Sequence, residues 1–341
     1  MVLHMATQST LPFSPSLTKA KQKTTVGELL SIGKTLVRVL LGYLVLIIVT
    51  AATSFPYRTD AVTHKGIPQP ADYNEFYKRI YAAPAQAGSA KTTEDPEDEA
   101  YVRMARKAIE DSNAVESVRD FVQAYHLEKA RVLDVGAGTG YLQDIVENYV
   151  GLDISPTASR YYHKPFIEAS ATDMPIPDND FDLIWSIWVL EHVPSPEQAL
   201  TEMRRVAKDG GILFLVPAWE CSPYFAQGYA VRPFSDFDLS GKVTKAGMFF
   251  RLFRPFYRAV QTTQRLALST RQWAGPTAFH YLPLQANYEK YWMPDSDAIN
   301  SLDRYELSLW FTSRGDECMN CDSRLLEQGG SLIIKVHKPR V

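Results

Sequence analysis

The longest uninterrupted apolar run, Val39 to Phe55 (VLLGYLVLIIVTAATSF), carries no charge, and Arg38 stands at its head. At 1.5 Å per residue, about twenty helical residues cross a hydrocarbon core of roughly 30 Å. Every face of the run is apolar, whereas a helix lying half-buried on a globular domain keeps a polar side. Residues 35–55 are therefore predicted to form a single membrane-spanning helix. Lys21, Lys23, Lys34 and Arg38 precede the run, and only Arg58 and Lys65 follow it closely. That asymmetry favours a cytoplasmic N-terminus, but which membrane and which side hold the rest of the chain stay open. Residues 1–34, rich in Ser and Thr and without an acid before Glu28, read as a disordered or targeting tail.

Beyond the run the pattern changes twice. Residues 56–95 are rich in Pro, Ala and polar residues and read as a tether. From Asp95-Pro96-Glu97 onward, apolar residues recur at helical spacing (Tyr101, Met104, Ala105, Ala108, then Val115, Val118, Val122, Tyr125), predicting two short helices. Short buried-strand runs then alternate with connections: 131–135, 149–153, 181–186 and 208–216, with a helix over 196–206. A helix is predicted over 296–313, and 316–319 and 331–337 form a closing antiparallel pair. Strands alternating with helices predict an α/β domain with a parallel sheet over 96–341.

The chain has 341 residues, 45% hydrophobic and 22% charged, which suits a packed core and excludes a disordered or collagen-like protein. A net charge of −3 argues against nucleic-acid binding by bulk attraction. Three cysteines are too few for a disulfide scaffold. Cys318 and Cys321 are half of a zinc-type spacing with no second half, so they read as a structural turn pair, and no metal is expected.

The chemistry begins after the first strand. Gly136-Ala137-Gly138-Thr139-Gly140 follows RVLDV directly, and glycines there let the backbone bend tightly and approach a ligand. The second strand (YVGLD) ends in Asp153, where a carboxylate is placed to accept both hydroxyl hydrogens of a ribose. Asp134 through Gly140 resembles the first motif of class I S-adenosylmethionine-dependent methyltransferases. The similarity runs on through Ala171–Pro175, Phe181–Ser186, Leu190-Glu191-His192-Val193, Pro196–Val206 and Lys208–Val216, and is that of the type-11 methyltransferase subgroup. The resemblance implies a Rossmann-like, seven-stranded, mostly parallel sheet with an antiparallel last strand, and S-adenosyl-L-methionine as cofactor. It also implies roles. Asp134, Gly136, Gly138 and Gly140 would hold the methionine end, Asp153 the ribose, and Asp173 the adenine amino group with Met174 beside the ring. Ser186 and Trp188 would line the methyl-donor side. Only eight residues (YLQDIVEN) separate Gly140 from the second strand, fewer than the family usually has.

Residues 218–293 are too long for a connection. About a fifth are aromatic, and basic residues outnumber acids about two to one. Their position implies a substrate cap. Within it, Arg251, Arg254 and Arg258 alternate with Phe249, Phe250, Phe253, Phe256 and Tyr257, a strip suited either to a lipid interface or to packing on the core. His192, after the fourth strand, and His280, in the cap, are the candidate general bases. The anchor and the aromatic cap together predict a membrane-tethered methyltransferase with a hydrophobic or amphipathic acceptor: a lipid, a quinone or a lipid-linked sugar. A protein side-chain methyltransferase at a membrane surface, and a non-catalytic scaffold, are the alternatives.

Overall fold

A computed structural model describes residues 16–53, 107–221, 275–283, 298–321 and 329–338, with isolated positions between 234 and 270. The predicted tether (56–95), the strip 249–258 and most of the predicted cap lie outside the described residues.

The N-terminal unit is one helix, α1 (Ser16–Thr53). Large apolar side chains from Leu29 to Val45 are exposed along it. Among the described residues, no helix is long and apolar enough to cross a membrane, so the spanning helix expected over 35–55 is not found. Charge explains why. The described side chains of α1 include Glu28, Lys34 and Arg38, which break up its apolar character, while the run beyond Val45 lies outside the described side chains.

The second unit is built on a seven-stranded sheet. Helix α2 (Ala114–Ala124) precedes it and turns Val118, Phe121 and Val122 inward. The sheet strands are β1 (Val132–Val135), β2 (Tyr149–Asp153), β3 (Phe166–Glu168), β4 (Phe181–Ile187) and β5 (Ala207–Val216). Helix α3 (Pro196–Val206) links β4 to β5. Proline opens it, where no amide donor is needed, and Ala199, Leu200, Met203 and Val206 form its buried stripe. A two-stranded ribbon, β6 (Leu282–Pro283) with β7 (Asn300–Ser301), leads into helix α4 (Arg304–Thr312). Strands β8 (Glu317–Cys318) and β9 (Leu332–Lys335) close the domain.

The order is β3-β2-β1-β4-β5-β9-β8. The first five strands are parallel, and β9 runs antiparallel to β5 and β8. The reversed closing pair thus stands where the sequence placed it. β1 and β2 are buried throughout, as expected of strands covered on both faces.

Helix α4 starts later than the predicted 296. Asp303 accepts the amide N–H of Glu306 at 3.0 Å and caps the helix there, while residues 300–301 are spent in the ribbon. The short connection after the glycine turn also has a clear outcome: residues 141–148 form turns, with no helix between β1 and β2. Cys318 and Cys321 are joined in a disulfide, and Cys221 is a buried free thiol.

Candidate active site

The sheet register brings the predicted residues together. Asp134 lies opposite Gly151 of β2 on one side and Trp185 of β4 on the other. Because alternate residues share a face, Tyr149 lies diagonally beside Asp134, and its hydroxyl donates to Asp134 Oδ2 at 2.7 Å. Burial is the main influence on Asp134 and raises its carboxyl to about 7. Tyr149 and the indole N–H of Trp185 work against this by favouring the ionised form, and the nearby Asp153 disfavours it.

Asp153, at the tip of β2, is also buried. Its Oδ2 accepts the amide N–H of Gly138 at 2.9 Å and its Oδ1 that of Ser155 at 2.9 Å. The glycine turn and the acid at the second strand tip are therefore in direct contact. Burial pushes this carboxyl upward, and the backbone donors partly offset it.

The turn takes its shape from left-handed backbone at Gly136, Gly138 and Gly140. Gly136 is required twice over: its φ is +75°, and a Cβ there would stand 2.3 Å from Val189 Cγ2. In place of the absent helix, Tyr162 packs over the turn. Its ring fills the space a Cβ would occupy at Gly151, and its hydroxyl donates to the Gly138 carbonyl at 3.2 Å.

The carboxyl end of β4 supplies the other wall. Ser186 is buried, and its Oγ has no hydrogen-bond partner; the same is true of Thr139 Oγ1 in the glycine turn. Buried hydroxyls without partners are costly in an empty fold and are satisfied by a polar ligand. Trp188 has a left-handed backbone (φ 54°), a strained geometry for a bulky residue. His192 ends the 3-10 turn Leu190–His192, with its Nε2 3.8 Å from Glu191 Oε1. Glu191 is wholly buried and accepts the amide N–H of Ala218 at 3.0 Å, tying the exit of β4 to the exit of β5.

Two predicted residues stand elsewhere. Met174 is buried in the main apolar core. It is its neighbour Asp173, on the turn after β3, that is exposed. His280 is bound to α4, its Nδ1 3.3 Å from Glu306 Oε2. Tyr149, Tyr162 and Glu191 were missed in the sequence. Tyr149 shares the period-2 face of Asp153, and Glu191 adjoins His192, so both signals were present.

The residues fit a nucleoside sulfonium. They offer two buried acids for a cation and hydroxyls, two unpartnered buried hydroxyls, and a glycine turn whose amide already faces one of the acids. This strand order, with a glycine turn after β1 and an acid ending β2, is that of the class I, S-adenosylmethionine-dependent methyltransferase domain. Comparison with known proteins agrees: residues 133–215 match the methyltransferase domain family. An uncharacterized methyltransferase of Mycobacterium bovis is 37% identical over 95 residues, covering 25% of this chain and 37% of that protein. A ubiquinone/menaquinone biosynthesis C-methyltransferase of Hahella chejuensis is 31% identical over 133 residues, 33% of this chain and 53% of that one. A ubiquinone biosynthesis O-methyltransferase of Dechloromonas aromatica is 34% identical over 110 residues, 27% of this chain and 46% of that one. The chain spans from 37% to 53% of the length of these relatives.

Proposed function

We propose that the protein transfers a methyl group from S-adenosyl-L-methionine to a hydrophobic or amphipathic small molecule at a membrane surface. The observation that carries the donor is the meeting of Asp134, Asp153 and the glycine turn beside the unpartnered hydroxyls of Thr139 and Ser186. When bound, the sulfonium supplies an electrophilic methyl group. The protein's share is to hold donor and acceptor in line. Asp134 would bind the ligand's ammonium, Asp153 its ribose hydroxyls, and Asp173 its adenine amino group. Ser186 and Trp188 would line the reacting side. His192 is the first candidate to take the acceptor's proton, because it follows β4 directly; His280 is the second.

Three features support the acceptor class: the aromatic composition of 218–293, the exposed apolar side chains of α1, and the quinone-biosynthesis names of two relatives. α1 is proposed as the lipid contact. The test is incubation of the full chain with methyl-labelled donor and a total membrane lipid extract, followed by separation of the products. Label in an organic-soluble species supports the reading. Label confined to protein, or none despite donor binding by calorimetry, overturns the acceptor class.

A further inference from the structure

The turn after β3 is gripped by helix α3. Inside the turn, Asp173 N–H donates to the Ser170 carbonyl at 3.1 Å, and Thr172 N–H to Ser170 Oγ at 3.2 Å. From outside, Glu202 Oε2 accepts the Met174 N–H at 2.9 Å, and Arg205 Nη2 donates to the Met174 carbonyl at 3.0 Å. Arg205 Nη1 reaches the Ile176 carbonyl and Asp178 Oδ1, both at 2.7 Å, and Gln198 Nε2 reaches the Thr172 carbonyl at 3.0 Å. Glu202 and Arg205 are themselves joined by two hydrogen bonds, at 2.8 and 2.7 Å.

Both backbone polar groups of Met174 are thus held by one ion pair on one helix, three residues apart. The consequence is directional. With the Met174 backbone fixed and its side chain in the core, Asp173 is the residue left facing outward. A guanidinium fork suits this task, since it can serve a carboxylate and two carbonyls at once, which an ammonium cannot. The ion pair also holds the Glu202 carboxyl below its ordinary range, so it stays an acceptor at neutral pH.

We propose that Glu202 and Arg205 are positioning residues for base recognition: they fix the turn so that the Asp173 carboxylate meets the amino group of a 6-aminopurine and rejects a 6-oxopurine. The inference rests on the donor assignment above and deepens it. A carboxylate accepts from an amino group but faces a carbonyl oxygen with repulsion, so a fixed Asp173 discriminates and a loose one does not.

The experiment measures dissociation constants of the full chain for S-adenosylhomocysteine and S-inosylhomocysteine, which differ only at that purine position. Wild type is expected to prefer the adenosyl ligand by about tenfold or more. Arg205→Met should weaken the adenosyl ligand about tenfold and leave the inosyl ligand nearly unchanged, so that the preference collapses. Glu202→Gln should lie between, and Arg205→Lys should restore part of the preference. Because both ligands report on the same folded fraction, a general loss of stability leaves the ratio intact. An unchanged ratio in Arg205→Met and Glu202→Gln therefore overturns the proposal. If Arg205→Met does not fold, Arg205→Lys and Glu202→Gln decide by the same ratio. Equal binding of both ligands by wild type removes the base-recognition role while leaving the donor site standing. Binding of neither ligand removes the donor assignment itself.

Discussion

Replacing Asp134 by Asn tests the electrostatics of the site most directly. The carboxyl lies in the sheet between Tyr149 and Trp185, and burial raises it to about 7. A carboxyl with that value is about half ionised at pH 7, and a ligand cation beside it needs the ionised form. Each molecule bound at pH 7 must therefore expel about half a proton, rising toward one near pH 5.5 and falling toward zero near pH 8.5. Below pH 7 the apparent affinity should weaken about tenfold per pH unit. The assay is calorimetric titration with S-adenosylmethionine in two buffers of different ionisation enthalpy, such as phosphate and Tris. Wild type should show a buffer-dependent heat at pH 7, and Asp134→Asn should not, with weaker binding at every pH. The ligand's own amino group contributes equally to both proteins, so the difference isolates Asp134. Stability has the opposite sign to binding. Because the folded carboxyl is raised above its unfolded value of 3.8, its contribution is greatest at acid pH and falls as pH rises through about 4 to 7. Asn, which still accepts from Tyr149, should flatten that slope. Tight binding with the same heat in both buffers and in both proteins would refute the reasoning.

Two further predictions concern the scaffold. Gly136→Ala adds a Cβ against Val189 at a left-handed φ and should cost about 2–4 kcal/mol in urea unfolding. Val189→Ala in the same chain should recover only the steric part, and full recovery would show that φ carries no strain. Asp303 forms a wholly buried ion pair with Arg265 at 3.0 Å and also caps α4. Asp303→Ala should therefore cost about 3–5 kcal/mol in denaturant unfolding, against about 1 kcal/mol for a cap alone. A loss of only about 1 kcal/mol would mean that the pair adds nothing.

The backbone of this domain was largely legible from local chemistry. β2 spans the predicted 149–153, because a buried run ends in an acid, and α3 spans the predicted 196–206, because proline opens it and an apolar stripe follows at helical spacing. The acids Asp134 and Asp153 were legible as ligand-facing residues through the motif around them. What was not legible depends on cross-chain partners. Tyr149 serves Asp134 fifteen residues away, and Arg205 reads as a solvated helix charge until the turn after β3 folds against it. Met174 shows the same limit, since sequence alone gave it to the ligand and packing gives it to the core. The late start of α4 was written in the Asp303–Glu306 pair but masked by the apolar residues before it.

The absence of a helix after the glycine turn has an electrostatic consequence. Such a helix would aim the positive end of its macrodipole, roughly half an elementary charge, at whatever occupies the turn. Here residues 141–148 supply no such charge, so the field at the turn is set by Asp134 and Asp153 alone. On the reading proposed above, a pocket of that sign holds the charged donor more firmly than the demethylated product, whose sulfur is neutral. Turnover would then loosen the spent cofactor by the same step that consumes it.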